Sequence, residues 1–478
     1  MTRPWRRGAV IVTVGLFVAT GAAHAQTAAS SSAPLTTTEL LASVERALPL
    51  LERARQDVAI AQGEAREALG AFDLSLEATA KSMRGYYDNE RASGILEQPL
   101  ASLGLTVYGG YRLGRGSFGP YDSRSQTLSE GEATGGVQLP LLRNRSMDGR
   151  RAAQQVTALG VSVAERGLDK ARLTYFKQAL AEYWDWVAAG QQLRVARELL
   201  QLAEARDQQL ADAAALGQIA PVERTDNRRA ILQRRSALFL AERQLQMKVI
   251  DLSLYLRALD GTPVRPSEQR LPPLLPPLPQ TEPDENEELR IAFERRPELK
   301  ALRLKRGQQD VELRLAENAV LPALDLFSEV SRDFGSGPES RSGTGVEAGV
   351  TFQLPFQRRK ATGKILQVRG KMAGLDQELR WAEDGVRADV QDALSAVRAA
   401  RAVLEVVTEE LTVARELESL ERDRFALGDS TQFVVNLREL ATADAALRAA
   451  KALADYQKSL VSVDAATGRL LDRLTPTL

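Results

Sequence analysis

Two long stretches of the chain lack proline and carry apolar residues at helical spacing. They run from about residue 147 to 214 and from about residue 360 to 426, and glycine is sparse in both. Leucine and alanine recur every three or four residues, as at Leu193, Ala196 and Leu200, which places them on one helix face. Each stretch predicts one helix about 100 Å long, because a helix rises about 1.5 Å per residue. The apolar seam drifts from a strict heptad, which favours helices packed around a tube over an ordinary two-stranded coiled coil.

A tight turn and a return helix follow each long helix. Gly217 and Gly428 stand where a left-handed residue commonly ends a helix. Pro221 suits the first position of the next helix, and residues 429–431 supply N-cap candidates for the second return helix. The pattern therefore predicts two helical hairpins. Their return helices span about residues 222–259 and 432–467.

Shorter segments alternate between apolar and polar residues, which is the period of a β-strand. Within residues 345–354, Val346, Ala348, Val350 and Phe352 share one face, and the alternate positions are polar or glycine. Residues 72–79 alternate in the same way. Such strands suit a barrel with a lipid-facing surface and a wet lumen, and they equally suit any half-buried sheet.

The chain repeats itself. Gln138–Pro140 recurs as Gln353–Pro355, 215 residues later, and Ala215–Gly217 recurs as Ala426–Gly428. The order of these landmarks is the same in both copies, and Phe72–Leu74 likewise corresponds to Leu324–Leu326. A helix is predicted before the strands of each copy, at about residues 38–69 and 285–318. Pro49 and Pro297 lie inside these two patterns, where they start or bend the regular helix.

A proline-rich segment divides the two copies. Residues 263–283 contain eight of the chain's 20 prolines, which excludes helix and interior strand and predicts an extended connector. A disordered linker is the alternative interpretation. The predicted organisation is a signal peptide (1–25), a first repeat (26–262), the connector (263–284), a second repeat (285–470) and a C-terminal tail (471–478).

The N-terminus has the pattern of a secretory signal peptide. Arg3, Arg6 and Arg7 precede an apolar run over residues 8–20, and Ala23-His24-Ala25 is a small-x-small cleavage site. An uncleaved membrane anchor is the alternative, but the apolar run is short for a spanning helix. Cleavage after Ala25 is predicted. No later stretch reaches 18 apolar residues, so the exported protein is expected to be either soluble or an outer-membrane β-barrel.

Composition narrows the chemistry. The chain has no cysteine, its only histidine is His24, and 63 basic residues balance 63 acidic ones. The balance argues against nucleic-acid binding. The missing side chains argue against thiol catalysis, the Ser-His-Asp triad and most zinc, haem or iron–sulfur sites. We therefore predict no catalytic residue, no cofactor and no metal.

In these features the chain resembles the TolC-type outer-membrane efflux family over nearly all of its predicted mature length. The resemblance is carried by the tandem repeat, the Gln-Leu-Pro strand ends before a basic long helix, the segment Asn318–Pro322 before a strand, and the Ala-Leu-Gly turns. It implies an α+β membrane protein that forms a homotrimer. Four strands per chain would close a 12-stranded barrel in the outer-membrane lipid, and the helices would form a tunnel across the periplasm.

The resemblance also implies partners and sites. The hairpin tips would meet a periplasmic adaptor, which links the duct to an inner-membrane transporter in a tripartite efflux or type I secretion system. The implied adaptor-docking tips are Leu216, Gly217, Pro221, Leu427, Gly428, Ser430 and Thr431. The implied barrel-to-helix junctions are Pro140, Pro322 and Pro355.

This chain departs from the family pattern at the entrance. The acidic residues that narrow the entrance in the family's best-known member correspond here to Val434 and Leu437. Charged residues near the tips, Glu223, Arg224, Asp226 and Asp423, are substitute gate candidates. Pairs such as Arg224 with Asp226, or Arg422 or Arg424 with Asp423, could close the entrance. Solvated helix faces are the alternative explanation.

The first inter-strand segment is the second departure. Phe72 to Gln138 spans 66 positions, whereas Leu324 to Gln353 spans 29. Its glycine and aromatic residues predict longer strands or an added hairpin outside the membrane, and a surface loop that partly covers the exit is expected.

Two rival classes of protein remain at this stage. One is a soluble periplasmic coiled-coil scaffold or adaptor, and the other is a secreted enzyme using an Asp/Glu pair.

Overall fold

The computed structural model describes residues 33–217, 219–272 and 284–474. The predicted signal peptide, most of the proline-rich connector and residues 475–478 of the tail lie outside the described residues. The helices are α1 (Thr37–Ala47), α2 (Pro49–Leu69), α3 (Gly149–Ala215), α4 (Pro221–Ser253), α5 (Glu285–Arg295), α6 (Pro297–Asn318), α7 (Arg359–Ala426) and α8 (Gln432–Thr467). The strands are β1 (Ser75–Met83), β2 (Asn89–Pro99), β3 (Thr106–Gly116), β4 (Gly131–Pro140), β5 (Ala323–Phe334) and β6 (Thr344–Gln353).

The long helices are unbroken, as their apolar spacing predicts. Helices α3 and α7 contain 67 and 68 residues, which corresponds to about 100 Å each. The side chain of Asp148 begins α3 by accepting a hydrogen bond from the Arg151 amide at 2.9 Å. Pro49 and Pro297 each divide a predicted helix in two, because the residue before a proline is disfavoured in helical conformation.

The hairpin turns form as the glycines predict. Gly217 and Gly428 have φ of +71° and +84°, which glycine adopts without strain. The amide of Asp429 donates to the Arg424 carbonyl at 2.9 Å, so the end of α7 is closed by backbone bonds. Thr431 occupies the N-cap position of α8, but its side chain makes no capping bond. The Ser430 hydroxyl instead donates to Glu421 of α7.

The sheet differs from the sequence prediction of four strands per chain. It contains six antiparallel strands in the order β1-β2-β3-β4-β5-β6. The additional pair, β2 and β3, forms from the long first inter-strand segment, so the expected surface loop is largely strand. An added hairpin is one of the two outcomes that the sequence predicts for this segment, but its pairing with β1 and β4 inside the sheet was not predicted. Glycines weaken the alternation of the segment, and the second repeat has no counterpart to it.

The strand register separates the side chains onto two faces of the sheet. One face is mainly apolar, and its charged members Glu90, Arg115 and Arg332 lie near the end away from the helices. The other is mainly polar, apart from residues such as Ile95 and Phe327. The apolar face includes Leu76, Ala78, Leu96, Val107, Tyr111, Leu113, Val137, Leu326, Val330, Val346, Val350 and Phe352. The polar face includes Glu77, Thr79, Arg91, Ser93, Arg112, Glu132, Thr134, Glu329, Ser331, Glu347 and Thr351.

The helices form a layer in which α3 is central. Near the sheet the order across the layer is α2, α3, α6, α7, and near the hairpin turns it is α4, α3, α8, α7. One apolar core surrounds Phe176 and Trp186 of α3, and a second surrounds Val390 of α7 and Tyr456 of α8. None of the helices in the described part of the chain is both long and apolar enough to cross a membrane.

Candidate functional site: the hairpin tips

The two hairpin turns lie at the end of the helical layer that is farthest from the sheet. Leu216 and Leu427, which precede the turn glycines, are 73% and 79% exposed. A Cβ built at Gly217 or Gly428 would meet no atom within 4 Å, so these glycines are required by backbone conformation and not by crowding. Both tips therefore present an apolar side chain to solvent.

The predicted charge pairs at the tips are not the ones that the structure contains. Arg224 contacts Asp207 of α3 at 3.6 Å instead of Asp226. Arg422 contacts Glu418 at 2.5 Å, and Arg424 contacts Glu421 at 3.6 Å, instead of Asp423. Residues one or two apart point to different sides of a helix, whereas residues three or four apart can meet.

The remaining gate candidates lie at the surface. Glu223 is half-buried in the first turn of α4, whereas Asp226 and Asp423 are exposed. Asp226 lines a cavity between α3, α4 and α8, together with Phe433 and Leu437. Leu437 stands where the resemblance implies an acidic residue, so an apolar side chain occupies this part of the cavity wall instead.

Sequence reasoning missed a group of charges around a buried carboxylate, several turns from the tips. We call it the tip charge cluster: Arg206 of α3, Arg234 of α4, Arg422 of α7 and Glu439 of α8. Glu439 is fully buried. Its carboxylate accepts from Arg234 at 2.8 Å, from Arg206 at 3.1 Å and from Arg422 at 3.3 Å. One carboxylate thus connects all four long helices of the two hairpins.

The cluster is held by strong electrostatic interactions. Burial by itself would raise the pKa of Glu439, but the hydrogen bonds and charges of Arg206 and Arg234 outweigh it and lower that pKa. Arg234 is also buried, and it donates to the Leu199 carbonyl at 2.9 Å. A buried ion pair is costly to desolvate, so removing one partner is far more destabilising than the pair is stabilising.

A signal for Glu439 exists in the sequence. It lies four residues after Val435 and four residues before Ala443, and both of these are buried on the same face of α8. A lone carboxylate within an apolar helix stripe requires a cationic partner. Its partners could not be identified from sequence, because they come from three other helices.

Acidification is expected to loosen the tips. The pKa of Glu439 is lowered by folding, so its contribution to stability is complete above the unfolded glutamate pKa of about 4.3. That contribution is lost as the pH falls further, through the lowered pKa of the folded state. Protease cleavage at the tips should rise below about pH 4, measured with an acid-stable protease. Glu439→Gln should lack this pH-dependent component, and identical profiles for the two proteins would contradict the assignment.

The sheet meets the helices at a bonded junction. Pro140 ends β4, and the next amide, that of Leu141, donates to the Leu324 carbonyl at 2.7 Å. The Pro322 carbonyl accepts from Arg143 at 3.2 Å. Pro355 is exposed after β6, and the left-handed Arg358 then directs the chain into α7. Two of the three predicted junction prolines therefore lie at the adjacent strands β4 and β5, and the third follows β6, the edge strand that pairs with β5.

Metal ions require a set of donor side chains that lie close together. Within the described residues, no group of three or more histidine, cysteine, aspartate or glutamate side chains is placed to hold a metal ion. The carboxylate of Glu439 is already paired with three arginines, so it is not free to bind a cation.

Comparisons with known proteins agree with the architecture. Residues 289–469 match the family model described as outer membrane efflux protein. No curated protein sequence matches the chain. The solved structure of the open-state MtrE outer membrane channel of Neisseria gonorrhoeae is similar, with a TM-score of 0.63 and 16% identity, covering 92% of this chain and 91% of that one.

Two further solved structures have the same fold. The CmeC outer membrane channel of Campylobacter jejuni aligns with a TM-score of 0.62 and 14% identity, covering 90% of this chain and 85% of its own. The outer membrane protein VceC of Vibrio cholerae aligns with a TM-score of 0.60 and 14% identity, covering 90% and 96%. The resemblance seen in the sequence is thereby confirmed for residues 289–469, which match the outer membrane efflux protein family, and the chain has the fold of the solved outer membrane channels.

Proposed function

We propose that the protein is a homotrimeric exit duct through the outer membrane, a passive conduit of a tripartite efflux or type I secretion system. The observation that carries this proposal is that the two sides of the chain can contact each other between neighbouring copies. Strand β1 and helices α2 and α4 form one side of the chain, and β6 and α7 form the other. Among the described residues, β1 and β6 each pair with one strand only, so each side leaves a strand edge open.

Exposed apolar side chains on both helical sides support ring formation. On α7, Val403, Val406 and Leu420 are about half to two-thirds exposed, and on α4 so are Leu232 and Phe239. Large apolar side chains in such rows are normally covered in an assembled protein. Contact between the α7 side of one copy and the α4 side of the next would cover both rows. This interface is heterologous, and it closes into a ring when the rotation fits a whole number of copies.

The sheet supports the same closure. Strands β1 and β6 run in opposite directions, so β1 of one copy can pair with β6 of the next in the antiparallel sense. Open strand edges are not tolerated in lipid, which makes closure a condition of membrane insertion. The apolar sheet face would then contact lipid and the polar face would line a wet lumen.

The hairpin tips are the proposed docking end. Leu216 and Leu427 are exposed there without contacts that would cover them, which suits a periplasmic adaptor linked to an inner-membrane transporter. Glu223, Arg224, Asp226 and Asp423 remain proposed entrance residues, although their ion-pair partners differ from those expected. Selection and energy would come from the partners, and the duct itself would perform no catalysis.

Cysteine cross-linking tests the ring. The chain has no cysteine, so introduced ones give a clean signal. A cysteine replacing Thr79 in β1 is combined in turn with a cysteine at each position along β6 (Thr344–Gln353). When the β6 cysteine of one copy lies opposite position 79 of the neighbouring copy, oxidation should yield covalent dimers and trimers on a non-reducing gel. Disulfides need Cα atoms within about 7 Å, so only nearby positions should react.

Each single-cysteine variant is the control, and it should stay monomeric on the same gel. The fraction from which the protein is extracted separates the proposal from its rival. An outer-membrane duct requires detergent, and in planar bilayers it should give ion conductance. Recovery in the soluble periplasmic fraction, without cross-linked trimers, would identify a coiled-coil scaffold instead.

A further inference from the structure

The hairpin of β2 and β3 is an integral part of the sheet. It separates β1 from β4, the two strands that would otherwise be neighbours. Nine residue pairs join β1 to β2, eleven join β2 to β3, and seven join β3 to β4. The backbone of the hairpin therefore forms hydrogen bonds with the sheet on both sides. If the hairpin lay outside the sheet, β1 and β4 would pair with each other instead.

The hairpin also spans the full height of the sheet. Its turn, residues 100–105, lies against the junction where β4 gives way to α3. At Gly104 (φ +69°) an added Cβ would lie 2.7 Å from the Asn144 carbonyl oxygen and 3.1 Å from the Pro140 ring. Close to this turn, the Gln98 side-chain amide donates to the Phe72 carbonyl at 2.6 Å, just before β1. The turn thus reaches the level at which the other strands meet the helices.

The two faces of the hairpin continue those of its neighbours. Leu96 of β2 lies directly opposite Leu76 of β1, and Val107 of β3 lies opposite Val137 of β4, all on the apolar face. On the polar face, Arg112 of β3 bonds to the carboxylate of Glu132 of β4. Apolar side chains in these positions would contact lipid if the hairpin lies in the barrel wall, and they would face water if it projected beyond the membrane.

We infer that each chain contributes six strands to the barrel, so that the trimer closes an 18-stranded barrel instead of a 12-stranded one. The inference rests on the proposed trimeric duct. Six is an even number, so β6 of one copy and β1 of the next remain antiparallel, and the hairpin introduces no new edge. One third of the strands then end in a turn at the junction and not in a helix.

The consequence is a wider exit. Barrel diameter grows roughly in proportion to strand number, so 18 strands give a barrel about 1.5 times as wide as 12 strands do. Its cross-section is then about 2.2 times as large. Barrels of 16–18 strands are wide enough to leave an aqueous channel between side chains. The barrel would therefore not be the narrow part of the duct, and passage would be restricted at the helical end.

Electron cryomicroscopy of the full chain in lipid nanodiscs tests this directly, through the number of strands in the barrel wall. The matched variant lacks residues 89–116, which removes β2 and β3 and keeps the outer loop residues. Strands β1 and β3 run in the same direction, so β1 can replace β3 beside β4. The full chain should show 18 strands, and the variant should show 12 with a barrel about two-thirds as wide.

The outcomes distinguish this inference from the proposed function. A trimeric membrane duct of 12 strands, with the hairpin outside the wall, overturns the six-strand inference and leaves the duct intact. A deletion variant whose barrel is as wide as that of the full chain overturns it as well. A protein that is neither trimeric nor in the membrane overturns the duct itself. If the deletion variant fails to assemble, the strand count of the full chain still distinguishes an 18-stranded barrel from a 12-stranded one.

Discussion

Replacement of Glu439 by alanine is expected to destabilise the tip end of the helical layer by about 3–5 kcal/mol, the usual effect of breaking a buried ion pair. The carboxylate is fully buried, and its removal leaves the Arg234 guanidinium, itself buried, without a counter-charge. Arg206 and Arg422 lose the same partner. Because the cluster connects α3, α4, α7 and α8, we expect both hairpins to loosen together.

Hydrogen exchange resolved by peptide is the measurement suited to this change. Amides in the tip halves of the four helices should exchange faster, while those around Trp186, in the apolar core, should change little. Glu410→Ala is the matched control, because Glu410 of α7 contacts Arg448 of α8 at 2.7 Å with both side chains about half exposed. Exposed pairs contribute roughly 0–1 kcal/mol. Equal exchange in the two variants would show that the buried cluster does not hold the hairpins.

Replacement of Val350 by arginine is expected to block insertion or assembly of the sheet. Val350 lies on the apolar face of β6 and is exposed, opposite Leu326 of β5. A cationic side chain on the lipid face of a barrel costs about 2–4 kcal/mol near the bilayer midplane. Each trimer would carry the substitution three times, so its effect should accumulate on assembly.

The neighbouring residue supplies the control. Thr351 lies on the polar face, opposite Asp325, so Thr351→Arg places the same side chain toward the proposed lumen and beside a carboxylate. The yield of detergent-extracted trimer from the outer membrane is the readout. We expect a strong loss for Val350→Arg and near-normal yield for Thr351→Arg. The opposite ranking would mean that the apolar face is not the lipid face.

Much of the fold could be predicted from local sequence signals. The uninterrupted apolar spacing in α3 and α7 predicted the length of both helices, because residues three and four positions apart share a face of a helix. Gly217 and Gly428 marked the turns, since a left-handed residue favours glycine whatever surrounds it. Pro49 and Pro297 likewise indicated breaks, through the steric effect of proline on the preceding residue.

The candidate site was less predictable. The tips were located correctly as turns, but the expected pairs Arg224–Asp226 and Arg422–Asp423 ignored the direction in which helix side chains point. The tip charge cluster was not foreseen at all. Arg206 and Glu439 are 233 residues apart in sequence, and only the packing of α3 against α8 brings them together.

The sequence by itself determined the long helices and their turns, and it excludes thiol and histidine chemistry from the predicted mature chain. Each of these depends on residue identity or on short-range spacing. The division into two repeats stays a prediction. The tertiary structure alone decided that β2 and β3 join the sheet and that four helices share one buried carboxylate. Strand pairing and buried ion pairs connect residues that are distant in the chain. Their partners are chosen by packing, and a glycine-rich strand leaves little local signal of that choice.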